Sequence, residues 1–307
     1  MKNILFASTA LVAASFATTT LAADPITASI RGYAHIGLLY QDNGADPEIG
    51  ILNDGEIHFR FRGTSDNGLT FDGEVELESF TSLDQVDEYW ARVSGSWGSI
   101  KIGADDSASE DHEVGVFYGP GAHAAYFDGF QSVLFSTNAG DVPSIRYATP
   151  TFSGFSASVD WAPDSTADGA APNNQQITFG NNQQRWSVGA SWSGEFSGVD
   201  IALGGGYLDG DLFPSARYHL GAQIGYQGFS FGVHFDSAAS DLDDDGAIAL
   251  GLQYQTGPWT FGGGWAFTTG GPDAMNWGIW AVYGLAPGVN ATLSYEGNDV
   301  NGVYDTT

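Results

Sequence analysis

The sequence predicts an all-β protein, a transmembrane antiparallel up-and-down β-barrel. Three observations predict it. Apolar and polar residues alternate with period two through fifteen strand-length segments. The connections between those segments are alternately short and long, as in barrels with tight turns on one rim and loops on the other. Every basic residue beyond the leader falls on the polar parity of its segment.

Residues 1–22 read as an export leader. Lys2 gives the positive start, Ile4 to Phe16 is apolar, and Thr20-Leu21-Ala22 supplies small residues for cleavage after Ala22. Residues 23–307 read as one continuous meander. Loss of Lys2 leaves eight basic residues against 37 acidic ones. Such a chain offers no basic surface to nucleic acid. With no cysteine, disulfides, thiol catalysis and cysteine-ligated zinc are excluded. No apolar run past the leader is long enough for a membrane helix, but barrel strands average to neutral hydropathy and escape that test.

The first strand spans about Thr27 to Tyr40. Ala28, Ile30, Gly32, Ala34, Ile36 and Leu38 take one parity; Ser29, Arg31, Tyr33 and His35 take the other. Gln41 to Gly55 is expected as an outer loop. Next, Ile57, Phe59 and Phe61 oppose Glu56, His58, Arg60 and Arg62. Ser65-Asp66-Asn67-Gly68 has the residues of a tight turn. The third strand sets Leu69, Phe71, Gly73, Val75 and Leu77 against Thr70 and the lumen acids Asp72, Glu74, Glu76 and Glu78. A fourth strand, about Glu88 to Trp97, carries Arg92, and the fifth sets Ile100 and Ile102 opposite Lys101. Alternation then stops. Asp105 to Val142 is the longest interval without it, and it opens with Asp105, Asp106, Glu110, Asp111 and Glu113. This segment is expected to fold inward and narrow the lumen. Alternation resumes at Ile145, Arg146 and Tyr147 and continues to Val289, Ala291, Leu293 and Tyr295.

The apolar parity is dense in aromatics near strand ends, including Tyr40, Trp97, Tyr147, Trp161, Trp192 and Tyr226, as interfacial girdles require. It is expected to carry no acid. An Arg or Lys facing lipid at mid-bilayer would cost about 2–4 kcal/mol. A secreted soluble β-sandwich of lectin type would also segregate charge, but its solvent face would carry many lysines.

Three stretches resemble the Gram-negative general diffusion porins, especially the compact alphaproteobacterial type. Gly63-Thr64-Ser65-Asp66-Asn67-Gly68-Leu69-Thr70-Phe71 is similar to their first periplasmic turn. Ser96-Trp97-Gly98-Ser99-Ile100-Lys101-Ile102-Gly103 is similar to the second. Arg146-Tyr147-Ala148-Thr149-Pro150-Thr151-Phe152-Ser153-Gly154-Phe155 is similar to the third. The resemblance implies a homotrimer of 16-stranded barrels in the bacterial outer membrane, amid lipids and lipopolysaccharide, passing small hydrophilic solutes and ions passively. It implies no catalysis and no required cofactor. It places a basic wall (Arg31, Arg60, Arg62, Arg92, Lys101, Arg146) against an acidic loop (Asp105, Asp106, Glu110, Asp111, Glu113). The acid excess points to cation preference. A substrate-specific outer-membrane channel is the alternative within this class. Only fifteen strands are legible, and Tyr304-Asp305-Thr306-Thr307 falls in what would be the last outer loop. The closing strand is therefore expected to be missing through truncation, unless one strand has been divided wrongly.

Calcium is a possible ligand at Asp105, Asp106, Glu110 and Asp111, or at Asp241, Asp243 and Asp245. The second group begins like a calcium loop but has Leu252 where an EF-hand needs glutamate. Glu74, Glu76 and Glu78 share a face as hydrolytic carboxylates do, and are read as pore wall. His35, His58, His219 and His234 fall on the polar parity and are read as lumen lining. Ala28, Gly32 and Ala34 suit contact between subunits.

Overall fold

The computed structural model describes residues 24–42, 47–80, 85–116, 141–164, 183–211, 213, 215–237, 246–269, 274–300 and 303–306. The leader and the acids at 241–245 lie outside these residues. So does the stretch between residues 116 and 141, the greater part of the interval expected to fold inward.

Sixteen strands form one antiparallel sheet in chain order. They are β1 (Asp24–Gln41), β2 (Glu48–Thr64), β3 (Thr70–Glu78), β4 (Tyr89–Gly95), β5 (Gly98–Ala104), β6 (Pro143–Ala148), β7 (Phe155–Ala162) and β8 (Arg185–Phe196). The second half comprises β9 (Val199–Gly210), β10 (Arg217–Tyr226), β11 (Phe229–Asp236), β12 (Ala247–Thr256), β13 (Trp259–Thr268), β14 (Ala274–Ala286), β15 (Val289–Val300) and β16 (Val303–Thr306). Among the described residues β1 pairs with β2, and β16 with β15. At several of the tight turns two consecutive residues take positive φ, as at Ser197 and Gly198 (54° and 80°) and at Gln227 and Gly228 (49° and 86°). That geometry matches the twist of the flanking strands.

The wall is apolar outside and polar inside. Ile30, Ile102, Val159, Trp186, Val188, Leu220, Phe231 and Trp265 are all exposed. The largest fully buried side chains include Arg185, His219, His234, Glu74, Asn276, Asp160 and Asp236. A soluble sandwich has the reverse distribution, with apolar faces meeting in its middle. The inward parity is not uniformly polar, however. On β12, β13 and β14 it carries buried Ala247, Ala249, Ala266, Trp280 and Val282. A Cβ on Gly262 would fall 2.2 Å from the Trp280 indole, so the glycine makes room for its cross-strand partner.

Three expectations need correction. The stretch from Gln41 to Gly55 is largely strand, with Tyr40 opposite Ile49 and Leu38 opposite Ile51. Alternation of outward Ile49 and Ile51 carries the pairing beyond the expected strand end. Residues 303–306 are strand rather than loop, because the chain turns back and pairs Val303 with Val300. The apolar parity does hold an acid, Asp209, opposite Trp186 near the loop end of β9. Its carboxylate accepts from Tyr207 at 3.5 Å and from the Gly210 N–H at 2.9 Å.

Val188→Arg puts a guanidinium on the lipid face midway along β8. It is expected to lower folding stability in lipid vesicles by about 2–4 kcal/mol in equilibrium denaturant unfolding.

Candidate functional site: the lumenal constriction

After β5 the chain leaves the wall and crosses the inside of the barrel. Residues 105–116 lie against β7 to β11. A short 3-10 turn, Glu110–His112, forms the middle of the crossing. Its backbone is fastened to wall side chains. The Ala108 N–H donates to Asp160 Oδ2 at 2.5 Å, and the Ser187 hydroxyl donates to the same oxygen at 2.9 Å. The Ser109 N–H donates to Ser187 Oγ at 3.2 Å, and Ser158 Oγ donates to Ala108 O at 3.2 Å. His112 joins Ser191 at 2.8 Å and Ser158 at 3.0 Å through its two ring nitrogens. Burial lowers the pKa of His112, which keeps the ring neutral for these bonds.

Close approach requires a wall without side chains there. A Cβ on Gly189 would lie 2.4 Å from Ala108 O. On Gly204 it would lie 2.2 Å from His112 O, and on Gly221 1.7 Å from Val114 O. Gly206 is as tightly placed, 2.1 Å from Ser109 Oγ. These glycines on β8, β9 and β10 form a bare track in which the segment sits. The run Gly204-Gly205-Gly206 is the signal in the sequence, since glycine inside a strand marks close backbone approach.

The cations of the wall divide into two sets. Arg31 donates to Glu74 at 2.8 Å, and Arg60 donates to the same carboxylate. His58 Nδ1 lies 3.0 Å from Glu74 and 3.0 Å from Glu76. Arg92 makes a bidentate pair with Asp72 at 2.5 and 3.1 Å. These cations are thus matched by wall acids on β3. Among the described residues, Lys101 and Arg146 are the wall Lys and Arg side chains seen ion-paired with the inner segment. Lys101 pairs with Asp105, and Arg146 pairs with Asp111 and lies 3.8 Å from Asp105. Arg62 is exposed near the tight-turn end of β2 and makes no ion pair with the segment among the described residues.

Residues not singled out in the sequence complete the site. Asp160 is buried between Arg146 at 3.8 Å and Arg185 at 3.7 Å while it anchors the segment. Trp90 lies inside the wall with Arg60, Arg92 and Lys101 at 6.0, 5.2 and 5.5 Å from its ring centroid, within cation–π range. Glu88 comes together with Asp105 and Asp106, their oxygens within 4.8 Å of one another. Of the expected calcium ligands the structure therefore gathers Asp105 and Asp106, with Glu88 in place of Glu110 and Asp111. Lys101 already supplies positive charge at Asp105, which makes this group a poor calcium cage.

Crowded acids at the constriction hold protons. Burial, then Asp106 and Glu113, pushes the Glu110 carboxyl up to about 9. Burial, then Asp106, pushes Glu88 up to about 9. Asp106 is also raised, by burial and then by Asp111. A carboxyl raised in the folded state stabilises it below the ordinary carboxylate range. That contribution is lost as pH climbs through the raised value.

A membrane-facing barrel with a water-lined, charge-bordered lumen narrowed by an inward segment is an outer-membrane channel of general diffusion type. The family model described as Gram-negative porin matches residues 7–302, and the chain belongs to that family. It resides in the outer membrane and passes small hydrophilic solutes passively. Among solved structures, a double-substitution variant of the Rhodobacter blastica porin matches with a TM-score of 0.64 and 19% identity, covering 91% of this chain and 97% of that one. A porin refined at 1.8 Å resolution matches with a TM-score of 0.59 and 18% identity, covering 91% and 97%. No curated protein matches the chain.

Gly221→Ala is expected to displace the inner segment and raise single-channel conductance. Gly37→Ala, whose Cβ meets only Leu52 side-chain atoms at 3.8 Å or more, leaves conductance unchanged. Raising pH from 8 to 10 deprotonates Glu88 and Glu110 and should loosen the segment, read as open-channel noise that rises near pH 9. The double variant Glu88→Gln, Glu110→Gln should show no such step.

Proposed function

We propose that the solute path narrows between the inner segment and the wall of β1 to β4, and that this eyelet favours cations. The supporting observation is the unequal charge pairing. The wall guanidiniums of Arg31, Arg60 and Arg92 already face Glu74 and Asp72, with Glu76 beside them, whereas the segment brings Asp105, Asp111 and Glu113 as well as the raised Asp106 and Glu110, and its Lys and Arg ion pairs among the described residues are with Lys101 and Arg146. Near neutral pH the ionised acids of the segment then outnumber Lys101 and Arg146 by a small margin, which grows as Glu88 and Glu110 lose their protons. Polar solutes pass such a field, and apolar ones are disfavoured because they cannot replace the ordered water.

The assembly follows from the outer face. Around β1 and β2 that face is aliphatic and very open, with Ile36 at 76%, Leu38 at 83% and Ile49 at 77% exposure. Elsewhere it is richer in Trp, Tyr and Phe, although Phe196 and Leu293 are as open as the β1–β2 residues. We propose that the β1–β2 face packs against neighbouring copies in a homotrimer, with the remaining faces in lipid. Gly32 has a role within the chain, since a Cβ there would lie 2.0 Å from Glu56 O. It therefore gives no separate support to subunit contact.

The test is the reversal potential of the reconstituted channel across a potassium chloride gradient. Its sign should show cations crossing more readily. The variant Asp105→Asn, Asp111→Asn frees Lys101 and Arg146. It should lower the cation-to-anion permeability ratio about fivefold per charge, from about 1 kcal/mol per unit charge at 4 Å in water. An anion-directed potential in the unmodified channel would overturn the charge reading.

A further inference from the structure

One lumenal cluster is built differently from the ion pairs of the constriction. His234 on β11 is fully buried, and its Nδ1–H donates to Val114 O of the inner segment at 2.9 Å. In the neutral ring this bond leaves the lone pair on Nε2. That nitrogen is buried and has no hydrogen-bond partner. It faces Glu113 Oε1 of the segment at 3.5 Å and Asp236 Oδ2 of β11 at 3.6 Å. The three ligand atoms lie within 4.8 Å of one another. Asp236 and His234 share the inward parity, two residues apart, so the strand itself aims both into one spot. The ring of His219 stacks on His234 at 5.2 Å between centroids and 22° between planes, and His219 Nε2–H is held by Ser109 O at 2.9 Å.

These separations are too long for direct N–H···O bonds, which fall at about 2.7–3.2 Å. They are close to the edge of a coordination tetrahedron, about 3.3–3.6 Å for bonds of 2.0–2.2 Å. A neutral imidazole with two carboxylates carries the charge that a divalent cation balances. The backbone carbonyl on the far ring nitrogen is the partner that orients metal-ligating histidines.

We propose that Glu113, His234 and Asp236 bind a divalent transition-metal ion of the zinc class, which clips the inner segment to β11. An imidazole nitrogen among the ligands favours such an ion over calcium or magnesium, which take oxygen ligands. The site lies apart from the acids beside Lys101 and does not depend on the ion preference of the pore.

The test uses the full folded chain in detergent micelles, stripped with chelator and titrated with Co2+ and then Zn2+. The expected result is one Co2+ per barrel with visible ligand-field absorption, displaced by Zn2+, and a higher thermal midpoint at saturation. Glu113→Gln and His234→Phe should each weaken Zn2+ binding at least about tenfold. Glu113 lies outside the strands, so its variant tests the site even where His234→Phe fails to fold. Absence of saturable Co2+ and Zn2+ binding overturns the proposal. So does Zn2+ binding of equal affinity in the unmodified chain and Glu113→Gln, which would place the ion on other carboxylates.

Discussion

Hydrocarbon offers no partner to a backbone N–H or C=O, and everything else in this structure follows from that constraint. The chain meets it by lateral pairing, each strand with its sequence neighbour, through sixteen strands. Pairing of this kind fixes side-chain alternation as well. One parity must suit lipid and the other is free to face water. Arg, His, Asp and Glu can therefore be buried deeply inside a wall whose outer face is Ile, Leu, Val and Trp.

The same constraint explains how the lumen is narrowed. A segment that leaves the ladder carries unpaired backbone groups into the barrel, and the inner face must satisfy them. Asp160, Ser187, Ser158, His219 and His234 bond the backbone of residues 108–114. The glycine track lets that backbone come close enough for the bonds to form. Anchoring and narrowing are one arrangement. Asp105 and Asp111 of the segment project where the anchoring groups leave room, beside Lys101 and Arg146, and Glu113 projects beside His234.

Much of the fold was legible because a period of two is read directly from a sequence. The inward placement of all eight basic residues, the tight turns and the departure of the chain at Asp105 follow from it. Strand ends were less legible. Ile49 and Ile51 continue the alternation past the point where charged and turn-forming residues suggested a loop, and Asp209 sits on the outer parity only because β9 runs longer than expected. Parity gives the face of a residue but not its neighbour on that face. The pairing of Arg60 with Glu74 and Arg92 with Asp72 was therefore missed, although counting back from the turn at residues 65–69 sets Arg60 opposite Glu74. Contacts across the lumen, such as His234 with Glu113, have no signature in a single sequence.

The fastening of the inner segment has a consequence for how the channel responds to its surroundings. Most of its bonds are shielded from bulk solvent and made by neutral groups: serine hydroxyls, histidine rings and backbone amides. Interactions of that kind are hardly screened by dissolved salt, whereas the field of the acids bordering the path decays over about 10 Å at 0.1 M ionic strength. Width and charge discrimination are thereby uncoupled. A change from dilute to saline medium mutes the channel's preference among ions while leaving the size of what can pass as it was.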